Sequence, residues 1–293
     1  MRGLGRLCAW LQGGLFVVRS ALSQVLTPAG RAVQLALALL PAVLSGCAVP
    51  VAHQAAPAPQ AAVMAQGDAA RITALTGWEV VRLPGKRATA YERDIKEGQR
   101  CWMADAEQSA SMYRKRLFVP ASGLGEIEFS WWVDTLVPGA DLSVPGQGDA
   151  PARLVLAFDG DHGQLSMRNR MLFELADTLS GERPPYATLM YVWANQGGPD
   201  TVILNPRTDR IRKIVLESGP AHLKQWRHYR RDVAADFRRA FGEEPGPLIG
   251  LAMMTDTDNM GTSAQTWYGD VHLGAAGMSS PAAPATKAVT SLR

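Results

Sequence analysis

The sequence predicts a mainly β fold, an antiparallel β-sandwich with one or two short helices. Three observations carry this. Residues 126–133 alternate apolar and polar side chains with the period of a strand, residues 153–158 and 188–193 are apolar on both faces, and only two segments show a helical period. Two stacked sheets bury such alternating faces against each other.

Taken in order, Tyr91-Glu92-Arg93-Asp94-Ile95 and residues 100–104 read as early strands. Ile127, Phe129, Trp131 and Val133 then fall on one face, opposite Glu126, Glu128, Ser130 and Trp132. Residues 153–158 read as a central strand, stopped by Asp159-Gly160-Asp161-His162-Gly163. Residues 188–193 repeat that pattern, and 201–204, 211–217, 248–254 and 266–273 complete the strands. One helix is expected over 168–177, with Met171, Leu172 and Leu175 as its apolar stripe. A second spans 232–241: Val233, Phe237, Ala240 and Phe241 share one face, Asp232 caps the start and Gly242 follows the end.

The chain divides into an export leader (1–46), a lipidated cysteine with a flexible tether (47–69), a β-sandwich domain (70–275) and a disordered tail (276–293). The first acidic residue is Asp68, and Arg2, Arg6, Arg19 and Arg31 lie in the leader. Removing those four of 30 bases leaves 26 against 27 acids, so the net charge of +3 belongs to the leader and does not point to nucleic acid. The apolar run after Arg31 is too short to span a bilayer but suits a signal-peptide core. It ends in Leu44-Ser45-Gly46-Cys47, which resembles a lipobox with Cys47 as the lipidation site. Alanine at 48, by analogy with other lipoproteins, directs the protein to the periplasmic side of the outer membrane or to the cell surface. Only Cys101 then remains in the domain, which rules out an internal disulfide. It reads as a packed small hydrophobe.

A series of motifs resembles a known family. It runs from Asp149-Ala150-Pro151-Ala152-Arg153 through Tyr191-Val192-Trp193-Ala194-Asn195, Trp226 and the Arg231–Phe237 segment. It continues with Phe241-Gly242 and Gly250-Leu251-Ala252-Met253-Met254-Thr255-Asp256-Thr257-Asp258-Asn259, and closes on Trp267-Tyr268-Gly269-Asp270-Val271. Together these resemble the bacterial domain of unknown function 3047, over about residues 75–273. The resemblance implies a fold and names no reaction. Its closing pattern is similar to that of jelly-roll carbohydrate-binding modules, which implies a jelly-roll-like sandwich.

The densest set of oxygen ligands is the loop Asp256, Asp258 and Asn259, with Asp270 as a distant partner. It reads either as a self-bonded Asx loop or as a metal or ligand site, with structural Ca2+ as the ion expected for such oxygens. Position 12 counted from Asp256 is Trp267, which excludes an EF-hand. Glu126, Glu128, Trp132 and Trp193 are the candidate ligand-contacting residues: paired carboxylates beside an aromatic suit either sugar binding or glycosidic cleavage. No Gly-x-Ser-x-Gly, His-Glu-x-x-His or phosphate loop is present. Residues 226–231, with Arg238 and Arg239, read as a solvated basic face. The expected function is therefore a membrane-tethered binding module of the cell envelope, more a binder than an enzyme, with a glycan or an envelope protein as partner. A glycan-active hydrolase or lyase and an envelope assembly protein are the alternatives. They differ in whether Glu126 or Glu128 meets the Asp256 loop in one groove.

Overall fold

The computed structural model describes residues 73–275. The leader, Cys47, the tether and the tail lie outside the described residues. Thirteen strands form two sheets. The strands are β1 (Thr73–Arg82), β2 (Ala90–Lys96), β3 (Gln99–Glu107), β4 (Ser111–Val119), β5 (Leu124–Val133) and β6 (Ala150–Phe158), then β7 (Ala187–Ala194), β8 (Val202–Leu204), β9 (Ile211–Ser218), β10 (Trp226–Asp232), β11 (Leu248–Asp256), β12 (Ser263–Tyr268) and β13 (His272–Ala275). Helix α1 (Met167–Ser180) joins β6 to β7, and α2 (Val233–Phe241) joins β10 to β11.

One sheet has seven strands in the order β1-β4-β11-β6-β7-β9-β8, antiparallel except for the parallel pair β7–β9. The other runs β10-β5-β12-β3-β2, with β13 continuing beside β5 below β12. The mainly β sandwich expected from alternation is what forms. Ile127, Phe129, Trp131 and Val133 face inward and meet Leu154, Leu156, Leu189, Tyr191 and Leu251 of the opposite sheet, with Phe237 of α2 closing one end. Each such side chain contributes roughly 1.5–3 kcal/mol on burial.

Three strands were not anticipated. In β4 the inward Tyr113, Leu117 and Val119 are masked in sequence by Arg114-Lys115-Arg116. Likewise β10 is not a free basic face but an edge strand whose bases are matched: Arg227 to Glu217 at 2.8 Å, Arg230 to Glu128 at 2.6 Å, and Arg231 to Asp236 at 2.6 Å. Strand β1 pairs with β4 at the sheet edge.

The segment expected as one strand over 266–273 is broken at Gly269. Its amide donates to the Ser130 carbonyl at 3.0 Å, and Ser130 and Gln99 approach so closely that no Cβ fits there.

Helix α1 buries Asn169 and Phe173. Met171 and Leu175, expected to face the core, are 64% and 56% exposed. Asn169 bonds Asp209 at 2.6 Å, and the Phe173 ring packs edge-on to His162 at 6.0 Å, so polar anchoring and one aromatic orient this helix. Helix α2 forms as its sequence predicts: the Asp232 carboxylate accepts from the Ala235 amide at 2.9 Å, and Gly242 takes the left-handed C-cap.

Candidate functional site

The outer face of the seven-stranded sheet carries an unusual floor. On β6, Leu154 and Leu156 point into the core, so Arg153 points out. On β11 the same alternation sends Asp256 outward, and on β9 it sends Lys213 outward between the inward Ile214 and the strand's start. All three are buried nonetheless, at 5%, 5% and 3% exposure, because the 134–149 loop lies over them. That loop is pinned from below: Lys213 Nζ donates to the Leu142 carbonyl at 2.9 Å, and Asn195 donates to the Val137 and Ala140 carbonyls at 2.7 and 3.1 Å. A cavity of about 200 Å3 remains beneath its tip, lined by Lys86, Arg153, Lys213, Asp256, Asp258 and Asn259 among others.

Three carboxylates converge here. Oxygens of Asp149, Asp256 and Asp258 lie within 4.8 Å of one another, the one group among the described residues with this metal-like spacing. Each already has donors of its own. One guanidinium nitrogen of Arg153 sits 2.8 Å from both Asp256 oxygens, and the Ala150 amide donates to the same carboxylate at 2.9 Å. Asp149 accepts from Asn259 Nδ2 at 2.5 Å and from the Met260 amide at 2.9 Å. Lys86 pairs with Asp258. The end of β11 is fixed by hydroxyls: Thr255 donates to the Pro151 carbonyl at 2.8 Å, and Thr89 to the Thr255 carbonyl at 3.0 Å.

Burial pushes the Asp256 carboxyl up to about 6. Arg153 opposes that rise, and Asp149 adds to it. Burial likewise pushes the Lys213 ammonium down to about 8; neighbouring Arg153 adds to the fall, and Asp256 opposes it. Both shifts have burial as their largest cause: each charge is held where water would be the better solvent.

The other residues singled out in the sequence lie elsewhere. Asp270 does not join Asp256. It lines an open pocket on the six-stranded sheet with Glu128, Ser130, His228 and His272. Glu126 and Glu128 face outward on that sheet and share Arg230, at 3.8 and 2.6 Å. The two carboxylate sets are thus on opposite faces of the sandwich.

Trp132 is 5% exposed beneath the β2–β3 hairpin. Lys96 Nζ lies 3.7 Å from the centres of both Trp132 and Trp267, whose rings meet edge to face. The indoles of Trp132, Trp226 and Trp267 donate to Glu97, the Lys96 carbonyl and Asp94, fastening the hairpin. Cys101 packs in this cluster, its thiol pushed up by burial. Trp193 is fully buried between the sheets and donates to the Gly219 carbonyl at 3.1 Å, so its ring is core, not a surface platform.

Sequence reasoning missed Asp149, Arg153, Lys213 and Lys86 as site residues. The signal was a cation inside an otherwise apolar strand: Arg153 opens Leu154-Val155-Leu156, and Lys213 precedes Ile214-Val215-Leu216.

Residues 76–272 match the family described as "Protein of unknown function (DUF3047)". The chain belongs to this family. The match covers nearly the span over which the sequence motifs resemble it, and it takes in every residue of the cavity floor. No curated protein matches the chain. Among solved structures, the DUF3047 domain is similar to a metagenome-derived glycoside hydrolase family 12 endoglucanase, at 10% identity and a TM-score of 0.37, covering 70% of this chain and 99% of that one. It is also similar to endoglucanase cel12A from Rhodothermus marinus, at 9% identity and 0.35, covering 70% and 98%. Endoglucanase 3 of Trichoderma harzianum follows at 8% and 0.32, covering 70% and 97%.

Proposed function

We propose that the protein is an exported, membrane-tethered binding module of the bacterial cell envelope, and that its outer-sheet cavity takes a polar ligand, a glycan unit. One observation carries this reading. Buried donors and acceptors from three strands and two loops line an open cavity, while every carboxylate there is held by a fixed partner of its own. A general acid or base needs a free oxygen facing the scissile bond. Carboxylates clamped by Arg153, Lys86, Asn259 and backbone amides serve better to orient donors around a bound molecule. The split of Glu126 and Glu128 from Asp256 supports binder over hydrolase on the same ground.

The tether rests on Leu44-Ser45-Gly46-Cys47 and the apolar run before it. Lipid at Cys47 holds the domain at the periplasmic side of the outer membrane. Cys47→Ser is expected to move the protein from the membrane fraction to the soluble fraction and to abolish incorporation of labelled palmitate. Wild-type protein that takes up no palmitate, or a Cys47→Ser variant that still takes it up, would sink the lipoprotein reading.

Thermal unfolding tests ligand binding directly, since a ligand bound only by the folded state raises the midpoint. Envelope glycan fragments at saturating concentration are expected to raise it, and Asp258→Ala is expected to remove most of that shift. Calcium against chelator is the control. Lys86 and Arg153 already supply cations to the Asp149, Asp256 and Asp258 cluster, so calcium is expected to leave the midpoint in place. A rise with calcium would instead make this the Ca2+ site read from the loop sequence. Silence across the glycan panel would turn the search toward protein partners.

A further inference from the structure

Among the buried groups on the cavity floor, two lack partners they need. An ammonium has three N–H donors, and Lys213, 3% exposed, gives one of them to the Leu142 carbonyl. The Nε of Arg153, 5% exposed, is buried with no acceptor. A buried donor without a partner costs roughly as much as a lost hydrogen bond, so native structures seldom keep one without use.

Charge points the same way. The cavity is lined by Lys86, Arg153, Arg207 and Lys213, and faced by Asp256 and Asp258 with Asp149 behind them. Asp256 takes Arg153, and Asp258 takes Lys86. The Asp149 oxygens are engaged by Asn259 and Met260. Arg207 is exposed to solvent, and of the two buried cations, Arg153 and Lys213, Lys213 is the one without a carboxylate partner.

We infer that the ligand of this cavity carries a carboxylate, as a uronic-acid unit of a glycan does, and that Lys213 and Arg153 receive it. The inference rests on the glycan-binding reading and deepens it. Two oxygens match the free donors of Lys213 and the Arg153 Nε, as charge-assisted hydrogen bonds. A single negative charge answers the unpaired Lys213, whereas a dianion such as phosphate would stand against Asp256 and Asp258. The amides of Asn205 and Asn259 and the apolar sides of Leu83 and Met254 line the remainder of the space and suit ring hydroxyls and ring carbons. The lowered affinity of Lys213 for its proton accords with an ammonium waiting for an anion.

The test is calorimetric titration of the full-length protein in detergent with four probes: a glucuronate-terminated disaccharide, its methyl ester, the neutral glucose counterpart and an acidic tetrapeptide. The uronate is expected to bind at least tenfold more tightly than the ester or the neutral sugar, and Lys213→Met is expected to erase that preference. Wild-type protein gives a second measurement free of any folding defect. Lys213 is faced by Arg153, Asp256, Lys86, Arg207 and Asp258, and burial pushes its ammonium down to about 8. Affinity for the uronate is therefore expected to fall about tenfold per unit above pH 8, while affinity for the neutral sugar stays level. Equal binding of uronate, ester and neutral sugar overturns the carboxylate inference and leaves the glycan reading standing. Binding of the tetrapeptide with silence from every sugar overturns both.

Discussion

Arg153→Ala is expected to lower the unfolding free energy of the domain by about 3–5 kcal/mol, the usual cost of removing one partner of a buried ion pair. The guanidinium is the charge facing Asp256, with one nitrogen 2.8 Å from both oxygens, and it also reaches the Gly148 carbonyl that begins the last turn before β6. Without it, the buried Asp256 is left beside Asp149 and Asp258 with no cation of its own, and the end of β11 loses its tie to β6. Urea unfolding at pH 7 measures the loss. Adding Asp256→Ala to Arg153→Ala is expected to recover part of it, since the stranded charge goes too. A single-variant loss below about 1 kcal/mol would show that the pair is not what holds these strand ends. The pH dependence has a defined sign. The Asp256 carboxyl stands near 6 in the folded protein against 3.8 for an ordinary aspartate, so folding favours its protonated form. Its contribution to stability is complete below 3.8 and is lost as pH rises through about 6.

Lys213→Met is expected to do the opposite, raising stability by about 1–3 kcal/mol while removing uronate binding. For a domain of this size that is roughly 2–4 °C in Tm per kcal/mol. The ammonium is held near 8 against an ordinary 10.5, so folding disfavours its charged form. Below pH 8 the domain bears the whole cost of that charge, and between about 8 and 10.5 the cost fades as the lysine neutralises. The advantage of Lys213→Met over wild type is therefore expected to be largest below pH 8 and to shrink toward zero near pH 10.5. A variant less stable than wild type at pH 7 would show that the bond to the Leu142 carbonyl outweighs the buried charge. Together the two variants separate an ion pair that the fold needs from a cation that it tolerates.

Much of the architecture was legible because alternation reports directly which side chains meet the opposite sheet. Ile127 to Val133 and Arg153 to Phe158 were readable as a strand with one polar face and a central strand, and the α2 caps were readable from Asp232 and Gly242. Strands β4 and β10 were not, because arginines that pair across the sheet surface look in sequence like a solvated basic run. The stripe of α1 misled for a related reason: Met171 and Leu175 suit a core but face outward, and the buried face is set by Phe173 and by Asn169's bond to Asp209. At the site, Asp256, Asp258 and Asn259 were found from their density in one loop. Their partners were not, since Asp149 lies more than a hundred positions away and only the β6–β11 register brings it alongside. Asp270 was assigned to that group as a distant partner on the following strand, but the chain crosses to the other sheet between β11 and β12, so β12 and Asp270 after it lie on the far side of the sandwich. Trp132 was singled out for sharing a strand face with Glu126 and Glu128 and Trp193 for its residue type, but both are buried, and the sandwich has uses for large aromatics that never touch a ligand.

The bond from Lys213 to the Leu142 carbonyl gives one nitrogen two duties, holding down the 134–149 loop and offering charge to whatever enters beneath it. Roof and floor therefore share an atom, so the position of the loop sets where the two remaining N–H groups of the ammonium point. Binding strength then becomes adjustable from a distance. Asn195 and Gln196, which fasten the loop at Val137, Ala140 and Asp141, line no part of the cavity beneath its tip. Changes at either position shift how much of the fastening falls to Lys213 while leaving every charged residue of the floor in place.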